Sequence, residues 1–90
     1  MLRGSDTFVF MEIKYSSHAV DRMIQRNITT QDVELLITDP DGTIKQSRDK
    51  IIFFRKIEHR KDNLIAAVTV LKTRNIYEVI TVMVNFEINV

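Results

Sequence analysis

The stretch "YSSHAVDRMIQRN" (15–27) carries three side chains of kinds that handle phosphate. His18, Arg22 and Arg26 recur at i, i+4 and i+8, one turn apart along a single helix edge. Two guanidiniums on successive turns present fixed N–H donors that match phosphate oxygens in shape and charge. An imidazole beside them can take or give a proton near neutral pH. A structural role fits the same spacing, with both arginines paired to carboxylates and the imidazole packed. Thr81, in "VITVMV", is equally open. Its hydroxyl meets a phosphate if the last strand lines the cleft, and is otherwise an ordinary strand residue.

A second group of candidates lies in "KQSRDKIIFFRKIEHRK" (45–61), which holds seven Lys or Arg against Asp49 and Glu58. With Phe53, Phe54 and His59 among the charges, a one-sided basic hairpin of this kind suits RNA. Charges that keep a strand edge from aggregating would read the same way. Arg55, Lys56, His59 and Arg60 are the RNA-binding candidates, and alternation puts Arg55 on an otherwise apolar face with Ile51, Phe53 and Ile57.

These side chains need a scaffold, and the chain supplies helices first and strands after. Ser16 and Ser17 are both N-cap residues for a helix over about 17–26. Ala19, Val20, Met23 and Ile24 form its apolar arc. Thr29 with Asp32 makes a capping-box variant, and Ile28 with Val33 a hydrophobic staple, for a second helix striped by Val33, Leu36 and Ile37. "DPDG" (39–42) stops that helix. Strands follow at "GTIKQS", "KIIFFRKIEH", "LIAAVTVLK" and "IYEVITVMVNF", joined by short turns that predict an antiparallel meander. "FVFMEIK" (8–14) can add an edge strand. The expected architecture is α+β, with both helices on one face of the sheet. In residues 64–71 both alternating faces are apolar, so the second face needs cover from the N-terminal segment, a second copy or another protein.

Several chemistries are excluded or disfavoured. With no cysteine there are no disulfides, thiol nucleophiles or thiolate metal sites. Glycine only at 4 and 42 rules out a glycine-rich phosphate loop. Two histidines more than forty residues apart, without a carboxylate cluster, predict no metal site, and no cofactor is expected. The second helix carries Asp32 and Glu34 but no Lys or Arg, which argues against a helix-turn-helix in the major groove. A formal charge of +1 makes no case for nucleic acid by itself, so only the charge distribution can. No apolar run reaches the roughly 20 residues of a membrane span, and no secretory signal is visible, so the expected location is cytoplasmic. Residues 1–10 read as a leader or vector-derived segment, or a possible edge strand, ahead of one domain over 11–90.

"SHAVDRMIQRNITTQDVELLI" resembles the opening signature of a small prokaryotic family, the domain-of-unknown-function family numbered 4258. The match takes in His18, Ala19, Arg22, Met23, Arg26, Ile28 and Val33, and the resemblance covers roughly residues 15–86. That family is grouped with the barnase, colicin and RelE-like nucleases, many of them ribonuclease toxins. The resemblance implies a RelE-like fold, two N-terminal helices on a twisted antiparallel sheet of about four strands. It also implies that His18, Arg22, Arg26 and Thr81 map onto the family's recurring polar positions. Asn27 stands where the family usually has glycine, and asparagine tolerates the left-handed backbone such a turn needs.

The expectation is therefore a metal-independent ribonuclease of toxin–antitoxin type, or an inactive relative that binds RNA. His18, Arg22, Arg26 and Thr81 would be catalytic, with RNA and an antitoxin or homodimer as partners. The alternative is a non-catalytic protein-interaction module or homodimer that uses the apolar second face of the sheet.

Overall fold

The computed structural model describes residues 12–88. Two helices pack on one face of a five-stranded sheet, in the order β1(Glu12–Tyr15), α1(Ser17–Arg26), α2(Thr30–Thr38), β2(Gly42–Lys45), β3(Lys50–Arg55), β4(Ile65–Thr73), β5(Ile76–Met83). Across the sheet the strands run β1-β5-β4-β3-β2. The last four strands form the expected antiparallel meander. The sheet as a whole is mixed, because β1 pairs with β5 in parallel, Glu12 opposite Ile76 and Tyr15 opposite Val79. The wholly antiparallel sheet predicted from the short turns is corrected by this one pairing. A parallel neighbour needs a long crossover, and everything from α1 to β4 supplies it. The leader reading of residues 1–10, and the 8–11 part of the expected edge strand, lie outside the described residues.

Local signals place both helices. α1 spans 17–26 with Ser16 as N-cap, its side chain accepting from Ala19 N–H. It ends at Asn27, which adopts the left-handed conformation (φ 56°). There the Ile28 N–H bonds the Met23 carbonyl and the Asn27 N–H bonds that of Ile24, a Schellman-type finish. In α2 the capping box is reciprocal: Asp32 N–H donates to Thr29 Oγ1, and Thr29 N–H donates to Asp32 Oδ2.

The main core lies between helices and sheet. Ala19, Met23, Ile28, Val33, Leu36 and Ile37 meet Phe53, Ile57, Ile65, Ala67, Val79 and Val82. On α1 only half of the predicted arc is buried, since Val20 is 41% and Ile24 71% exposed. A ten-residue helix lying on a flat sheet buries a stripe narrower than the arc the wheel allows.

The opposite sheet face carries a smaller cluster of Ile52, Ala66 and Val68, with Ile44, Phe54, Ile80, Met83 and Phe86 against it. Both faces of β4 are thus apolar, as the sequence pattern requires. Phe86 folds over this second face: its N–H bonds the Leu64 carbonyl, and its ring lies 5.7 Å from that of Phe54. At the sheet edge Gly42 pairs with Phe54, whose ring occupies the space a Cβ would need.

β3 is shorter than the strand predicted over 50–59, ending at Arg55. Two aspartates flanking Pro40 stop it. Asp41 Oδ2 takes the Lys56 N–H at 2.9 Å, and the Arg55 guanidinium donates to the Asp39 carbonyl at 2.7 Å. Once side chains satisfy these groups, the ladder has nothing further to bond.

Leu36→Ala removes a fully buried side chain from the main core and should destabilise by roughly 2–5 kcal/mol, whereas Ile24→Ala should change stability by less than about 0.5 kcal/mol. Urea denaturation followed by circular dichroism measures both.

Candidate functional site

The N-terminus of α1 is tied to the sheet by the hydroxyl of Ser16. Its oxygen caps the helix by accepting from Ala19 N–H at 3.0 Å and donates to the Ile80 carbonyl at 3.1 Å. Ser16 N–H also bonds the Val79 carbonyl. Ile80 lies where β5 carries an extra residue: Val68 pairs with Thr81 but Thr69 with Val79, a β-bulge. A serine on one chain segment thus satisfies a bulge carbonyl on another. This fixes the edge of α1 that carries His18, Arg22 and Arg26 against the C-terminal end of β5.

The result is an open cleft of about 540 Å³ lined by Arg22 and Arg26 on one side and by residues 81–87, including Thr81, Asn85 and Glu87, on the other. Three of the four predicted catalytic residues therefore meet, from elements more than fifty positions apart in sequence. His18 does not line the cleft. It stands one turn back on the exposed surface, where Arg22 Nε donates to His18 Nε2 over a long 3.5 Å. Among the described residues neither Arg22 nor Arg26 has a carboxylate within ion-pair distance, Glu87 included. Among the described residues the arginines are therefore not paired to carboxylates, as the structural role would require.

The basic tract is distributed differently. Arg55 pairs with Asp39 at 3.2 Å and Asp41 at 3.9 Å, and its buried Nε has no partner. Lys56 Nζ donates to the carbonyls of Arg60 and Asp62. Arg60 reaches the end of α1, donating to the carbonyls of Asn27 and Arg26 while pairing with Asp62. His59 Nε2 meets Asp32 Oδ1 at 2.8 Å. All four proposed RNA contacts thus have partners within the chain, and they are spread over the α2–β2 turn, the start of α2 and the end of α1. The sequence shows their charge but not these long-range partners.

Asp32 and Asp62 are both perturbed. Burial alone would raise the Asp32 carboxyl, but hydrogen bonds from His59 and Thr29 outweigh that effect and hold it below the ordinary 3.8. Asp62 is likewise lowered, chiefly by its hydrogen bond from Arg60. Elsewhere, a largely apolar groove of about 410 Å³ runs along the other flank of α1, lined by Tyr15, Val20, Met23, Ile24, Asn27 and Ile28 among others. Burial, and then the charge of Glu34, push the Tyr15 hydroxyl up. The groove presents no charged side chain, which sets it apart from the arginine cleft. The described residues contain no group of three or more His, Asp or Glu side chains placed to hold a metal. None of their helices is long and apolar enough to cross a membrane.

Two predictions follow from these bonds. Ser16→Ala loses the cap and the bulge bond together and should cost about 1–3 kcal/mol by urea denaturation. Asp32 has a folded pKa below its unfolded one, so its stabilisation is complete above about pH 4 and is lost as pH falls through the folded value. Asp32→Asn should accordingly be less stable than the parent at about pH 6, with the gap narrowing towards about pH 3.

No curated protein and no solved structure matches this chain in sequence or fold comparison. A family model does match, over residues 15–84, from the last residue of β1 through the end of β5. That span takes in the helix edge, both caps and the bulge, so the match covers the whole of the cleft except the turn at Asn85–Glu87. The chain belongs to the family described as Domain of unknown function (DUF4258).

Proposed function

We propose that the arginine cleft is the site of a metal-independent ribonuclease of toxin–antitoxin type. The observation that carries this is the meeting of Arg22, Arg26 and Thr81 around one open gap, with both guanidiniums lacking an ion-pair partner among the described residues. Two such cations would ordinarily find carboxylates in a chain with twelve Asp and Glu. Two guanidiniums without an ion pair among the described residues, although Glu87 lines the same cleft, suit an external anion.

In the proposed reaction the RNA 2′-oxygen attacks the adjacent phosphorus and the bond to the 5′-oxygen breaks. The products are a 2′,3′-cyclic phosphate and a 5′-hydroxyl end. His18 carries one of the two proton transfers and water the other. Arg22 and Arg26 stabilise the charge that builds on the phosphoryl oxygens, and the Thr81 hydroxyl donates to the same group. The reaction class also draws on the RelE-like grouping that the helix signature resembles, an analogy of fold rather than of site. Because Arg55, Lys56, His59 and Arg60 have partners inside the chain, flanking phosphates fall chiefly to the unpaired lysines and arginines of the tract. A relative that binds RNA at this cleft without cutting it is the weaker form of the same proposal.

A second reading, a protein-interaction module or homodimer, has one observation in its favour. Ile44, Phe54, Ile80 and Met83 remain partly exposed on the sheet face that carries no helix. An antitoxin covering that face is compatible with either function. A stable dimer by light scattering, together with no RNA binding, would favour this second reading over the first.

Arg26→Ala should lower RNA cleavage by about 100-fold or more, the scale of one lost charge-stabilising donor, with the circular dichroism spectrum unchanged. Cleavage by the parent chain should persist in EDTA. RNA and ribosome-bound message left intact by the parent protein would overturn the nuclease proposal.

A further inference from the structure

Arg60 has a task that neither its charge nor its place in the basic tract announces. It lies in the loop between β3 and β4, 34 residues from Arg26. Its side chain is only 12% exposed. Nη1 donates to the Asn27 carbonyl at 2.7 Å and Nη2 to the Arg26 carbonyl at 2.9 Å. Nε and Nη2 donate to the two oxygens of Asp62 at 3.1 and 3.3 Å. Four of the five N–H donors of the guanidinium are therefore engaged, and no fork is left for a phosphate.

The carbonyls it holds belong to the last residue of α1, Arg26, and to its cap, Asn27. The Schellman turn takes those of Met23 and Ile24, so neither of the two has a helical donor. Arg60 supplies both bonds from one rigid plane and sets a positive charge at the negative end of the helix dipole. Lys56 fastens the loop beneath by donating to the Arg60 and Asp62 carbonyls at 3.3 and 2.6 Å. Ser16 fixes the start of α1 to β5, and this network fixes its end.

We propose that Arg60 is a positioning residue for Arg26: by gripping the Arg26 carbonyl it sets the point from which that guanidinium enters the cleft. This rests on the arginine cleft being an anion site. A lysine at 60 would keep the charge but could not bridge two carbonyls and a carboxylate at once. The last turn of α1 would then loosen, and a shift of about 1 Å at a reacting group can cost on the order of 100-fold.

The test is titration with inorganic phosphate, read by NMR at the Nε–H resonances of Arg22 and Arg26. In the parent chain both resonances should respond. In Arg60→Lys the apparent affinity read at Arg26 should fall about tenfold, while that read at Arg22 stays within about twofold. Equal responses at both arginines, as in the parent, would overturn the proposal, as would equal losses at both, which would mark a general loosening. If Arg60→Lys does not fold, Asp62→Asn carries the same test, because it releases the guanidinium from the carboxylate that orients it. An unchanged Arg26 response there would overturn the proposal as well. No phosphate response at either arginine of the parent chain would instead remove the cleft reading, and this proposal with it.

Discussion

A single hydroxyl oxygen, that of Ser16, joins the helical and strand halves of the site. It accepts the Ala19 N–H in the first turn of α1 and donates to a carbonyl in the β5 bulge, so helix start and strand end share one atom. A buried carbonyl left unbonded at a bulge would cost about 1–3 kcal/mol, and an uncapped helix start about 1 kcal/mol. Meeting both with one side chain fixes the distance between the arginine edge of α1 and Thr81. The cleft exists because that distance is fixed.

Holding two cations one turn apart opposes folding by a few tenths of a kcal/mol. The burial of Ala19 and Met23 on the adjacent stripe outweighs it, since one buried Met alone contributes about 1.5–3 kcal/mol. The helix is therefore held by its apolar stripe and its two ends, leaving the charged edge without an ion pair among the described residues. Four of the aspartates are used elsewhere. Asp32 bonds His59, Asp39 and Asp41 take Arg55, and Asp62 takes Arg60. The basic tract and the aspartates thus cancel one another in part, and Arg22 and Arg26 are left without an ion pair among the described residues.

Features governed by neighbours in sequence were legible before any coordinates. The bounds of α1, the capping box of Thr29 and Asp32, and the left-handed Asn27 depend on bonds spanning a few residues. The apolar character of both β4 faces was legible too, because alternation is a local pattern. What the chain did not disclose was long-range. Nothing in "EIKY" announces that it lies parallel to β5 rather than antiparallel. Nothing in "FFRKIEH" announces that Asp39 and Asp41 will end the strand at Arg55. The site follows the same division: the spacing of His18, Arg22 and Arg26 was readable, while the meeting of the two arginines with Thr81, and the place of His18 outside the cleft, depend on how α1 sits against β5. For Arg60 and His59 the sequence suggests RNA-binding candidates, because the partners at Arg26 and Asp32 lie 34 and 27 residues away.

The central claim is that the gap between Arg22 and Arg26 receives an RNA phosphate, with His18 one turn back on the same helix edge. A crystal structure with a 2′-O-methyl dinucleotide, which cannot be cleaved, tests this most directly. The account predicts a phosphoryl oxygen within about 3 Å of both guanidiniums, with the modified 2′-oxygen on the side facing His18. A dinucleotide seated on another surface, or an empty cleft at millimolar ligand, would contradict it.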